Sequence, residues 1–214
     1  MPYVISFIKQ KGGCGASTNA RSILREYTAL GWKTRLNDMD DGQNTSLEVL
    51  KWRIEHGNNV PELEIKQFVT VQKAMSDTEY FDMIIFDGRP RADTLSWEIA
   101  KVSDLIVMST GTSKEDMNPQ IRLAHEIKNK GFDPERICFV FFRTDSQAEV
   151  RDSREYIEAA GYEVLEPHLP NRTGYRRASD VGLCTTETRY PSLNRTARKV
   201  VQAIIDKFEA VAEL

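Results

Sequence analysis

Eight residues, Lys11-Gly12-Gly13-Cys14-Gly15-Ala16-Ser17-Thr18, lie between the apolar run Val4 to Ile8 and a helix-like stretch that begins at Asn19. A strand that turns through glycines into a helix is the frame of a phosphate-binding loop. The glycines let backbone N–H groups close around phosphate oxygens at the helix start, and a Ser or Thr hydroxyl binds Mg²⁺. The general loop also carries a lysine that reaches the β- and γ-phosphates. In this chain Ala16 holds that place. The segment therefore names a nucleotide site and removes its usual cation at once.

The loop opens an alternation that sets the fold class. Strand-like runs fall at Tyr3 to Ile8, Thr34 to Asn37, Met83 to Phe86, Leu105 to Ser109 and Ile137 to Phe142, with a weaker one at Glu163 to Leu165. Several are apolar on consecutive residues, the pattern of strands covered on both faces. The helix-like stretches Asn19 to Leu30, Thr45 to His56, Pro119 to Lys130 and Arg151 to Ala160 each run into a glycine, where a left-handed C-cap sits. Ser192 to Leu214 closes the set. The alternation predicts an α/β fold, a mostly parallel twisted sheet with helices on both faces, and the phosphate loop at its head makes it P-loop NTPase-like. With 214 residues, 40% of them hydrophobic, the chain 1–214 reads as a single domain with one sizeable core.

Several function classes drop out. Cys14, Cys138 and Cys184 are odd in number and scattered, which suggests neither a disulfide framework nor a CxxC metal site and fits a reducing cytoplasm. No apolar run approaches the ~18 residues of a membrane span, and Met1 to Tyr3 leads straight into a strand without a signal peptide. His56, His125 and His168 lie in unlike contexts, which argues against a hydrolytic triad or a histidine metal site. Trp32, Trp52 and Trp97 read as core or interface residues rather than a base-stacking platform.

Two acidic segments carry the remaining site chemistry. In Phe81-Asp82-Met83-Ile84-Ile85-Phe86-Asp87, an aspartate follows a buried strand and so sits at the carboxyl edge of the sheet, where it can hold Mg²⁺ or its waters. Alone, such a run is equally a strand-terminal turn. About seventy residues after a phosphate loop, it reads as a Walker B element. Asp38-Met39-Asp40-Asp41 packs three carboxylates into four residues, which repel unless a cation or solvent relieves them. One reading is a solvated loop with Thr45 or Ser46 capping the next helix. The other is a phosphate-side segment in which Asp40 orients water or contacts the waters of magnesium.

Taken together, VISFIKQKGGCGAST, DMDDGQNTS and FDMIIFDG resemble the ParA/MinD superfamily of deviant Walker ATPases, most of all its short ParA-type partition proteins, over nearly the whole chain. The family loop reads KGGxGK[ST][ST]. The resemblance implies a dimer sandwiching ATP or ADP with Mg²⁺, in which Lys11 reaches the partner's phosphates. Gly12, Gly13, Cys14, Gly15, Ala16, Ser17 and Thr18 form the cradle. Ser17 and Asp87 are the implied Mg²⁺ ligands, Thr18 lies near the α-phosphate, and Asp40 positions water beside the metal. The usual Pro-Gln after Asp40 is replaced by Asp41-Gly42-Gln43. A ParB-like or adaptor partner, non-specific DNA and a nucleoid-associated cytoplasmic location are implied as well.

Ala16 departs from that pattern. Charge-assisted contacts are worth roughly 1.5–3 kcal/mol each, so its loss predicts nucleotide binding weaker by about ten- to hundredfold. Hydrolysis is expected to suffer more, because that lysine also stabilises developing charge. A deliberate Lys-to-Ala change and a natural pseudo-ATPase acting as a dimerising adaptor both fit the residues. A biosynthetic relative finds no substrate motif, and no cysteine pair suits a bridging cluster.

The net charge is −3, yet Arg172, Arg176, Arg177, Arg189, Arg195, Arg198 and Lys199 outnumber Asp180 and Glu187 by five between Pro170 and Lys199. One reading is a phosphate-backbone surface for non-specific DNA, with Arg195, Arg198 and Lys199 on one side of the last helix. The other is a solvated face. Tyr175-Arg176-Arg177-Ala178 and Gly182 resemble a family segment near the adenine or the dimer contact. The stripe Val200, Val201, Ile204, Ile205, Phe208 and Val211 reads as core, since Asp206, Glu209 and Glu213 would be repelled by an anionic bilayer. Arg89 and Arg91 are either anion contacts near the phosphates or an exposed loop pair.

Overall fold

The computed structural model describes residues 1–40, 42, 45–91 and 93–213. Among the described residues, eight strands form one sheet: β1 (Tyr3–Lys9), β2 (Thr34–Asp38), β3 (Glu64–Gln67), β4 (Met83–Pro90), β5 (Leu105–Thr110), β6 (Ile137–Thr144), β7 (Glu163–Val164) and β8 (Leu169–Pro170). Their order is β3-β2-β4-β1-β5-β6-β7, all parallel, and β8 lies beside the far end of β6. The connecting helices are α1 (Ala16–Ala29), α2 (Thr45–Glu55), α3 (Val71–Ala74), α4 (Thr94–Val102), α5 (Lys114–Asn129), α6 (Gln147–Ala159), α7 (Thr173–Ser179) and α8 (Pro191–Ala212).

Strand side chains alternate between faces, and both faces are covered. Ile5, Phe7, Met83, Ile85, Leu105 and Val107 pack with Ala20, Ile23 and Leu24 of α1 and with Val200, Val201, Ile204, Ile205 and Phe208 of α8. Val4, Ile8, Ile84, Phe86, Ile106 and Met108 pack with α3, α4, α5 and α6. Each large apolar side chain buried in this way contributes about 1.5–3 kcal/mol. The apolar stripe of α8 is therefore spent on the core, as expected. Among the described residues, no helix is long and apolar enough to cross a membrane.

The expected strands and helices are present, with informative differences. β4 runs on through Asp87 to Pro90, because β1 stays paired with it as far as Lys9. β3 carries only Ile65 as a buried residue between polar ones, so it left no apolar run to read. α4 is capped by Asp93, whose side chain accepts from Ser96 N–H. α5 starts at Lys114 rather than Pro119, because Ser113 caps it. α1 starts at Ala16 rather than Asn19, so the phosphate loop's last residues belong to a helix.

Candidate functional site

The turn from β1 into α1 depends on glycine geometry. Gly13 and Gly15 hold positive φ values of 79° and 91°, which side-chain-bearing residues rarely adopt. A Cβ on Gly15 would also lie 2.2 Å from the Phe142 ring. The backbone can thus bend beneath Phe142 and start α1 with N–H groups that have no intrahelical partner, at the positive end of the helix. These residues border a cavity of about 160 Å³ lined by Lys9, Gly12 to Thr18, Arg21, Asp40, Pro90, Phe142 and Arg143.

The floor of this cavity is a network of charges set by strand pairing. Phe7 of β1 faces Asp87 of β4 in register, and Asp87 faces Asp38 of β2. Asp87 is 2% exposed. Its Oδ1 accepts from Lys9 Nζ at 2.6 Å, and the same ammonium donates to Ser17 Oγ at 2.9 Å. Ser46 Oγ donates to Asp87 Oδ2 at 3.2 Å and accepts from Arg21 Nη1 at 3.1 Å. Asp38 accepts from the backbone N–H of Asp40 and Ser46. Burial, reinforced by the neighbouring Asp87 carboxylate, pushes Asp38 up to about 6. Arg21 is buried, and burial draws its pKa down. No carboxylate lies in salt-bridge contact with Arg21 among the described residues.

Ser17 and Asp87, named from the sequence, thus come together. Their oxygens converge on one cationic centre, and hard oxygen donors suit Mg²⁺. In this structure that centre is the Lys9 ammonium. Asp40 borders the same cavity, with its Oδ1 accepting from Gly42 N–H at 3.1 Å. Asp41 and Gln43, part of the segment that replaces Pro-Gln, lie outside the described residues.

Lys11 takes a different direction. Its Nζ lies 2.7 Å from Asp116 Oδ1 at the start of α5, and it is not among the cavity-lining residues. The hydrogen bond from Lys11 to Asp116 raises the lysine's pKa. Cys14 is buried, which raises its thiol pKa, and Ala16 is 1% exposed within the α1-side core.

A neighbouring cavity of about 260 Å³ shares Thr18, Phe142 and Arg143 with the first and adds Leu169, Asn171, Tyr175, Arg176 and Asp180. Tyr175 and Arg176 therefore line a cavity next to the glycine loop. Gly182 does not. A Cβ there would meet the Arg53 backbone N at 2.1 Å, so it serves to seat α2. Arg89 is paired with Asp93 at 2.6 Å, Arg91 is exposed, and neither lines the cradle. Arg195, Arg198 and Lys199 are exposed on α8, while Ala197 and Val200 between and beside them are buried.

Sequence reading missed Lys9, Arg21, Phe142 and Arg143. Lys9 left one signal, a charge closing a run otherwise buried on both faces. Arg21 left another, its place one helical turn after Ser17.

No protein-family model matches the chain, and no curated protein sequence does. Solved structures match it along nearly its whole length. A Borrelia burgdorferi B31 protein provisionally assigned to plasmid partition, bound to AMPPNP, aligns with a TM-score of 0.76 at 16% identity, over 97% of this chain and 100% of that one. A chain of the MinC:MinD cell division protein complex of Aquifex aeolicus aligns with a TM-score of 0.72 at 13% identity, over 95% of this chain and 96% of that one. The septum site-determining protein MinD of Pyrococcus horikoshii OT3, complexed with Mg-ADP, aligns with a TM-score of 0.70 at 14% identity, over 100% of both chains. The fold is that of the ParA/MinD-type P-loop ATPases.

Proposed function

We propose that the chain is a ParA/MinD-type ATPase that binds ATP with Mg²⁺ in the Lys9–Asp87 cavity and uses the bound state to position a cargo. One observation carries this reading: beneath a positive-φ glycine loop at a helix start, the oxygens of Ser17 and Asp87 converge on a single cation. The backbone of Gly12 to Thr18 cradles the phosphates. Ser17 and Asp87 hold Mg²⁺, which neutralises phosphate charge, and Asp40 orients water from the side of β2. Lys11, released from Asp116, supplies the phosphate contact across a homodimer. Arg195, Arg198 and Lys199 meet the phosphate backbone of DNA without base readout, which places the protein on the nucleoid. A ParB-like or adaptor protein then stimulates release, and a plasmid, chromosome region or protein cargo is moved. Without a lysine at position 16, turnover is slow.

Ala16 favours a second reading, a dimerising adaptor that has lost nucleotide altogether. Isothermal titration of ATP with Mg²⁺ into the native chain and into Ala16→Lys separates the two. Nucleotide binding is expected, and failure of both proteins to bind would overturn the ATPase reading.

A further inference from the structure

We propose that Lys9 is the phosphate lysine of this chain, supplied from the end of β1 in place of the one missing at position 16. The inference rests on the nucleotide-binding reading above. Lys9 is the last residue of β1 and lies two residues beyond Phe7, on the face that looks toward α1 and the glycine loop. The β1–β4 register shifts between Phe7 and Lys9, so β4 advances three positions, from Asp87 to Pro90, where β1 advances two. Such an irregularity re-aims a side chain. Here it accompanies an ammonium that borders the cradle and contacts Ser17 and Asp87 at once.

A lysine in this place needs a reason. It is 5% exposed, and a buried ammonium is costly unless it is paired. Asp87 alone would explain a counter-ion, but Asp87 also has Ser46 Oγ as a donor, and the neighbouring carboxylates are Asp38 and Asp40. A polyphosphate would add several negative charges to this floor, where Arg21 is the one buried cation besides Lys9 among the described residues. Ser17 and Asp87 would hold a divalent cation with the same oxygens that now accept from Lys9, and the Lys9 ammonium, freed from them, would be placed to donate to phosphate oxygens. A compact charge on a flexible stem suits that exchange better than a guanidinium fork. Ala16 then vacates a role already filled from β1.

The test is titration of ATP, ADP and AMP, each with Mg²⁺, into the native chain, Lys9→Met and the double variant Lys9→Met/Ala16→Lys. Thermal melts report folding, and Lys9→Gln, which keeps a neutral donor toward Asp87, takes over if the Met variant does not fold. Loss of one charge-assisted contact predicts ATP and ADP binding weaker by about ten- to hundredfold, with AMP unchanged. Ala16→Lys in the Lys9→Met background is expected to regain at least about tenfold for ATP on the same figure. If a folded Lys9 variant binds ATP as tightly as the native chain, or loses ATP and AMP alike, Lys9 is only the counter-ion of Asp87 and the proposal fails. If neither the native chain nor Ala16→Lys binds any nucleotide, the parent reading falls, and this inference with it.

Discussion

Arg53→Met removes the clamp that ties α2 to the segment before α8. The guanidinium is 1% exposed and grips Glu187 with both arms, Nη1 to Oε2 at 2.7 Å and Nη2 to Oε1 at 2.8 Å. It also donates to Gly182 O at 3.1 Å and Val60 O at 3.2 Å. Losing one partner of a buried ion pair costs about 3–5 kcal/mol, because the other charge stays buried. The carbonyl of buried Gly182, left without this donor, adds roughly 1 kcal/mol, whereas exposed Val60 is open to water. Arg25 Nε at 3.2 Å and the Cys184 N–H at 2.9 Å remain on Glu187 and soften the loss. The balance predicts a destabilisation of about 4 kcal/mol, which for a domain of this size lowers Tm by about 8–16 °C.

Guanidinium chloride unfolding measures the effect, with an unchanged slope as the sign that only stability has moved. The double variant Arg53→Met/Glu187→Gln removes both charges and is expected to recover most of the loss. The pH dependence checks the cause. Burial alone would raise the Glu187 pKa, but the Arg53 guanidinium, the Cys184 N–H and Arg25 hold it below the ordinary glutamate value. The native clamp therefore stabilises above that ordinary value and is lost as pH falls through the lowered one, so Arg53→Met should flatten the acid limb. A loss under about 1 kcal/mol, or a double variant as unstable as the single, would refute the clamp.

Two further outcomes are expected. Gly15→Ala places a methyl against the Phe142 ring and forces alanine to φ 91°, so nucleotide affinity should collapse while the distant core, followed by far-UV circular dichroism, stays folded. Retained affinity would show that the loop tolerates the shift. Neutralising Arg195, Arg198 and Lys199 together should reduce the slope of log affinity for duplex DNA against log salt by about 2.7, at ~0.9 per phosphate contact, with no dependence on DNA sequence. An unchanged slope would remove DNA from that face of α8.

Much of the fold was legible because the signals are local. Apolar runs covered on both faces, glycines at helix ends and a strand–loop–helix turn each act within a few residues, and β1, β2, β4, β5 and β6 all fall where those signals lie. β3 was not legible, since a polar edge strand with one buried residue has no periodicity to show. The full length of β4 was hidden for another reason: the strand is extended by its partner β1 and not by its own composition.

The site divides along the same line. By itself the sequence determined the glycine turn into a helix, because the positive-φ glycines, the helix start and the Ser17 hydroxyl follow from eight consecutive residues. It also exposed the hole at Ala16. Which cation sits over Asp87 was decided only when β1 came to lie beside β4, bringing Lys9 within 2.6 Å of a residue 78 positions away. Sheet order comes from burying two apolar faces at once, and no window of sequence contains it. The lysine that the loop lacks and the lysine that the site holds are therefore separate facts, the first written in the chain and the second made by its folding.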